Sequence, residues 1–140
     1  MAISFFSEDT NYSVKNRRLL TNWVKSCIAN EGKKCGDISF IFCSDDHLLS
    51  INRQYLQHDY YTDVITFDYC NGDIVTGDIF VSVDTVRENS ALFNKAFLDE
   101  LHRVIIHGIL HLCGHGDKSD EDASKMRLLE DNSLNLLPNK

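Results

Sequence analysis

An α+β fold, with a small mixed sheet of about four strands packed against about five helices, follows from three features of this sequence. Apolar residues recur at helical spacing through most of the C-terminal half. Short alternating stretches lie between helices in the N-terminal half. Helices are interleaved with the sheet and then gather at one end, the pattern of α+β or mixed layers. The chain has 140 residues, and at roughly 100–200 residues per domain this predicts one domain over residues 1–140.

The elements follow in order. Ala2 to Phe6 reads as a short strand. From Val14 to Asn30, the residues Leu19, Leu20, Trp23, Val24, Cys27 and Ile28 make a helical stripe, and Glu31-Gly32 stops it with glycine past the last turn. Cys35 to Cys43 reads as a strand with Ile38, Phe40 and Phe42 on one face and Ile41 on the other. Ser44 then caps a helix whose Leu48, Ile51 and Tyr55 share a side. The polar, aromatic segment Gln57 to Thr62 leads into a strand at Val64 to Tyr69, and Asn71-Gly72 marks a tight turn before another strand at Ile79 to Ser82. Helices are expected over Val83 to Phe93 and over Ala96 to Cys113, the second with Leu98, Leu101, Ile105, Ile109 and Leu112 in one stripe. Gly114 and Gly116 break it, and Ser119 with Asp122 opens a last helix carrying Met126 and Leu129.

Composition narrows the function classes. Hydrophobic residues make 43% and charged residues 25% of the chain, a balance that excludes disorder. Acidic residues number 21 against 14 basic ones, a net charge of −7 that argues against broad coating of nucleic acid. The five cysteines form no C-x-x-C pair, so free thiols in a reducing cytoplasm are expected. The first residues lack a basic region and meet an acid at Glu8, which is unlike a secretory signal. No apolar run approaches the roughly 20 residues of a membrane span.

The segment from His107 to Asp117 carries the chemistry. His107 and His111 lie four residues apart, so on a helix their imidazoles point to one place. Neutral imidazoles at that spacing suit zinc. Gly114 lets the chain turn back, and a third ligand is available from Asp117 or from His115. The spacing H-x-x-x-H-x-x-G-x-x-[H or D] is that of the metzincin zinc helix. A protease of that kind needs glutamate directly after the first histidine, and Gly108 stands there. Two histidines on a helix are often ordinary residues. The apolar surroundings (Val104, Ile105, Ile106, Ile109, Leu110 and Leu112) and the glycine-flanked return favour one bound metal ion.

These residues extend to a wider resemblance. His107-Gly108, Leu110-His111-Leu112 and Gly114 resemble the hallmark of the YbeY family, metal-dependent, single-strand-specific endoribonucleases of bacterial ribosomal RNA maturation. Ile51-Asn52, Tyr55, Asp59, Thr62-Asp63-Val64 and Phe67 are similar to a second family block, and Gly77-Asp78-Ile79 to a third. The three blocks span Ile51 to Arg127 in the family's order. Two positions depart from it. Asp117 stands where the family carries its third histidine ligand, and His115 where it carries an aromatic residue. Leu56 replaces an arginine implicated in RNA handling, and Arg53, one helical turn earlier, is the candidate to stand in.

The resemblance implies a zinc ion (Zn2+) held by His107, His111 and Asp117, with His115 as the alternative third ligand, and with a zinc-bound water as nucleophile. Zinc lowers the pKa of such a water toward ~7. Arg53, Asp59 and Asp63, with Asp78 beside them, are the candidates for the remaining catalytic roles by the company of the motif. For an isolated aspartate beside threonine or glycine, turn and cap chemistry is the commoner role. Single-stranded RNA of a ribosomal RNA precursor is the implied substrate, with the small ribosomal subunit or its proteins as partner. Quality control of ribosomes in the cytoplasm is the implied setting, with no membrane. Lys15, Arg17-Arg18, Lys25, Lys33-Lys34, Arg53 and Arg103 offer positive charge, and Tyr55, Tyr60 and Tyr61 offer stacking surfaces. The acids from Asp117 to Asp122 and Glu130-Asp131 read as lying away from the RNA groove. Two other classes remain: a zinc peptidase or amidase using another acid as base, and a metal-stabilised, non-catalytic ribosome-associated factor.

Overall fold

The computed structural model describes residues 2–56 and 62–138. Nine elements run β1 (Ile3–Ser7), α1 (Arg17–Asn30), β2 (Lys34–Cys43), α2 (Asp45–Leu56), β3 (Val64–Asp68), β4 (Ile74–Ser82), α3 (Val83–Leu92), α4 (Phe97–Leu112) and α5 (Asp120–Leu134) among the described residues. The four strands form one mixed sheet in the order β1-β2-β4-β3. β1, β2 and β4 are parallel, and β3 pairs antiparallel with β4, Phe67 opposite Asp78. The α+β architecture expected from the sequence is the one observed.

Both faces of the sheet are covered, which explains why Ile41 is buried alongside Ile38, Phe40 and Phe42. The larger core joins Phe5, Phe40, Phe42, Ile79 and Val81 to Trp23 and Ile28 of α1, Val86 of α3, Ile105 and Ile109 of α4 and Met126 of α5. A smaller one on the opposite face joins Leu48 and Ile51 of α2 to Cys43 and Ile65, with Phe67 and Phe80 packed on it.

Several boundaries shift for local reasons. The first helix begins at Arg17 rather than Val14 because Asn16 sits in the left-handed region at φ 58°. Val14 still enters the core. The fourth strand begins at Ile74, the Asn71-Gly72 turn having closed a tight hairpin in which Asn71 bridges to Ile74. Two residues of the predicted apolar stripes are exposed. Leu98, on the first turn of α4, and Tyr55, near the end of α2, are 43% and 61% exposed. Ser44 and Ser119 cap as expected, accepting from the backbone N–H of His47 and of Asp122.

Glycines bring α4 onto the sheet and turn the chain after it. A Cβ on Gly108 would lie 2.9 Å from Ile79 Cγ2 and 3.5 Å from Thr66 Cγ2. The position after the first histidine therefore faces the sheet, and an acid there would be driven into β4. Gly114, at φ 103°, follows the last turn of α4. Its N–H donates to His111 O, and the N–H of His115 donates to Leu110 O, the paired bonds of a Schellman motif.

Candidate metal centre

The C-terminal half of α4 runs beneath an open cleft of about 390 Å3 between α2, β3 and the loop after α4. Its lining includes Asn52, Leu56, Asp63, Thr66, His107, His111 and Asp117. His107 and His111 leave the helix on one side, and the turn at Gly114 returns Asp117 to them. The two Nε2 atoms are 3.0 Å apart, and Asp117 Oδ2 is 3.4 Å from the first and 3.5 Å from the second. Ligands on tetrahedral zinc at about 2.0–2.1 Å are separated by about 3.3–3.4 Å. The observed triangle has the dimensions of one face of that tetrahedron, so the donor set fits a metal ion on both chemistry and spacing.

Electrostatics at the site centre on Glu130 of α5. Its Oε2 accepts from His107 Nδ1 at 2.6 Å, and its Oε1 accepts from Arg103 Nη1 at 2.8 Å. Because a carboxylate only accepts, His107 carries its proton on Nδ1 and turns the Nε2 lone pair into the cleft. This is the carboxylate–histidine support common beneath metal ligands. Burial works against charge on His107, but the hydrogen bond and charge of Glu130, with Asp117 and Asp63 behind them, raise its pKa above the ordinary value. Burial is likewise outweighed at Glu130, whose carboxyl falls below the usual range through His107 and Arg103. His111 is lowered by burial and by the neighbouring His107. Burial raises Asp63 against the attraction of His107.

The remaining candidates separate cleanly. His115 points away from the triangle, with its Nε2 on Glu31 Oε1 at the end of α1. Asp63 shares the cleft. Asp59, Tyr60 and Tyr61 lie outside the described residues. Arg53 is exposed on α2 and does not line the cleft, whereas Leu56 does. Asp78 lies in a separate groove with Glu8, His47 and Tyr55. Arg103 is held by Glu130 and Asp131 rather than presented to a ligand. Arg17 and Arg18 line a groove along β1, at the opposite edge of the sheet from β3.

One expectation fails at this site. Asp117 and Glu130 do not lie away from the groove; they form it and support it. Glu130 was legible in one respect: it falls on the buried side of the last helix with Met126 and Ser133, a charged residue on an apolar stripe. Asn52, buried beside Ile51 on α2, carries the same signal.

The profile of the family described as Endoribonuclease YbeY matches residues 3–138. This chain belongs to the YbeY family. It is 50% identical to the Endoribonuclease YbeY of Parabacteroides distasonis over 99% of this chain and 97% of that protein. It is 52% identical to that of Bacteroides thetaiotaomicron, covering 96% of this chain and 98% of the relative. The solution structure of TM1509 from Thermotoga maritima superposes with a TM-score of 0.68 at 28% identity, covering 97% of this chain and 89% of that one. The YbeY fold thus extends over the whole described chain, the His107–His111–Asp117 cleft included. Among the described residues no helix is long and apolar enough to cross a membrane.

Proposed function

We propose that this chain is a zinc-dependent, single-strand-specific endoribonuclease that acts on ribosomal RNA precursors in maturation and quality control. Its setting in this reading is the cytoplasm, in company with the small ribosomal subunit or its proteins. The observation that carries the reading is the triangle of His107, His111 and Asp117 at the floor of an open cleft, in a chain of the YbeY family. These three residues hold the ion. When bound, zinc supplies Lewis-acid polarisation of a phosphoryl oxygen and lowers the pKa of a water. Glu130 orients His107 throughout. Asp63, in the same cleft and with its proton affinity raised by burial, takes the proton from the attacking water. Arg53, outside the cleft lining, acts as a cation for the flanking phosphates, and Asp59 is a further catalytic residue.

A cleft of this size is of small-ligand dimensions and suits one unpaired nucleotide better than a duplex. Net charge does not oppose this, because a divalent cation adds +2 where the phosphate sits. Gly108 weighs against the peptidase or amidase reading, since its position faces Ile79 rather than the cleft. The test pairs single-stranded and duplex RNA, with casein as a control, against metal-loaded wild type, chelated wild type and His111→Ala. Cleavage confined to single-stranded RNA and lost on chelation with the fold intact is expected. Zinc-loaded wild type that leaves single-stranded RNA uncut overturns the reading, and unfolding on chelation assigns the metal a structural role instead.

A further inference from the structure

We propose that Glu31 and His115 form a strap that positions Asp117, which makes Glu31 a positioning residue of the metal site although it precedes His115 by 84 residues. The proposal rests on reading His107, His111 and Asp117 as the ligands.

The three ligands are not held alike. His107 and His111 project from a helix whose other faces are in the core, and His107 is further fixed by Glu130. Asp117 stands on the loop between α4 and α5 with its side chain 39% exposed. Among the described residues, 116–118 make no backbone–backbone hydrogen bond. The last backbone anchor before Asp117 is the N–H of His115 on Leu110 O, and the next structure is the cap at Ser119. The His115 side chain supplies the missing hold: its Nε2 pairs with Glu31 Oε1, two residues from the ligand.

Glu31 is an unusual place to find this partner. It caps the C-terminal end of α1, where the helix dipole disfavours a carboxylate. Its side chain is only 18% exposed, and that of His115 only 22%. A mostly buried carboxylate at the unfavourable end of a helix needs a donor, and His115 provides it. The contact also turns the imidazole of His115 away from the ion position. Two helix ends far apart in sequence are thereby tied together, and the short lever between His115 and Asp117 transmits that anchor to the ligand oxygen.

The test measures zinc affinity by chelator competition, below the melting transition, with folding checked by circular dichroism. Asp117→Ala is expected to lose the ion. Glu31→Ala and His115→Ala are each expected to weaken zinc binding ~10–100-fold, the range for residues that orient a ligand. The double variant is expected to be no worse than either single one, because both remove the same contact. Glu31→Gln, whose amide oxygen still accepts from Nε2–H, restores most of the affinity. Where an alanine variant does not fold, His115→Phe keeps the ring and removes only the donor. A merely adhesive contact lowers the melting temperature in these variants and leaves the affinity of the folded protein unchanged; that result, with Asp117→Ala still losing zinc, overturns the strap alone. Zinc held normally by Asp117→Ala overturns the ligand reading and the strap with it.

Discussion

Replacing Glu130 by glutamine probes the site with the least change in volume. The carboxylate is 5% exposed and gives one oxygen to each of two donors, His107 Nδ1 at 2.6 Å and Arg103 Nη1 at 2.8 Å. Glutamine has one acceptor oxygen for both. If that oxygen stays with Arg103, the amide NH2 meets Nδ1, which must then accept. The proton of His107 moves to Nε2, the atom that faces the cleft. A charge-assisted hydrogen bond contributes ~1.5–3 kcal/mol. At roughly 4 °C per kcal/mol for a chain of this size, the metal-free variant melts about 6–12 °C lower. Zinc affinity falls ~10–100-fold, or about 1.4–2.7 kcal/mol. Chelator competition and scanning calorimetry read the two effects separately. A Glu130→Gln protein that binds zinc as tightly as wild type would refute the argument that Glu130 sets the tautomer of His107.

Further outcomes follow from the same geometry. Gly108→Ala places a methyl 2.9 Å from a branched carbon of fully buried Ile79 and is expected to cost about 1–3 kcal/mol in urea denaturation; Gly108→Glu is expected to destabilise further and to confer no casein hydrolysis. Asp63→Asn should leave zinc affinity intact while lowering the rate of RNA cleavage ~10²–10⁴-fold, the usual worth of a general acid or base; an unchanged rate removes Asp63 from the proton transfer. Metal-free protein should lose stability at both ends of its pH range. His107, raised above 6.5 chiefly by Glu130 against burial, contributes below 6.5, and that contribution disappears as pH climbs through its folded value. Glu130, lowered from 4.5 by His107 and Arg103 against burial, contributes above 4.5 and is lost as pH falls through its own folded value. His111, held below 6.5 by burial, opposes His107 near neutrality, so denaturation curves of wild type and Glu130→Gln are compared to isolate the pair.

The sequence by itself determined the order of the secondary elements and two points of the candidate metal triangle. Helical spacing is local: Leu20, Trp23, Val24, Cys27 and Ile28 announce the buried face of α1, and His107 with His111 must meet wherever that segment is a helix. Gly114 likewise announced a turn that its φ of 103° requires. Burial by long-range neighbours was not legible. Tyr55 and Leu98 carry the helical pattern yet are largely exposed, Tyr55 meeting only the edge of the Phe67 ring among the described aromatic residues. Ile41 is buried although it lies on the opposite face of β2 from Phe40 and Phe42.

Only the tertiary structure chose between Asp117 and His115 as the residue beside the two histidines. His115 is instead engaged by Glu31, from the end of a helix that the motif never mentions. The tertiary structure also brought Glu130 to His107 from another helix and paired Arg103 with Glu130 and Asp131. The physical reason is common to these cases. A side chain's partner is set by what the packed layers bring within hydrogen-bond distance, and sequence spacing encodes that only within a single helix or turn.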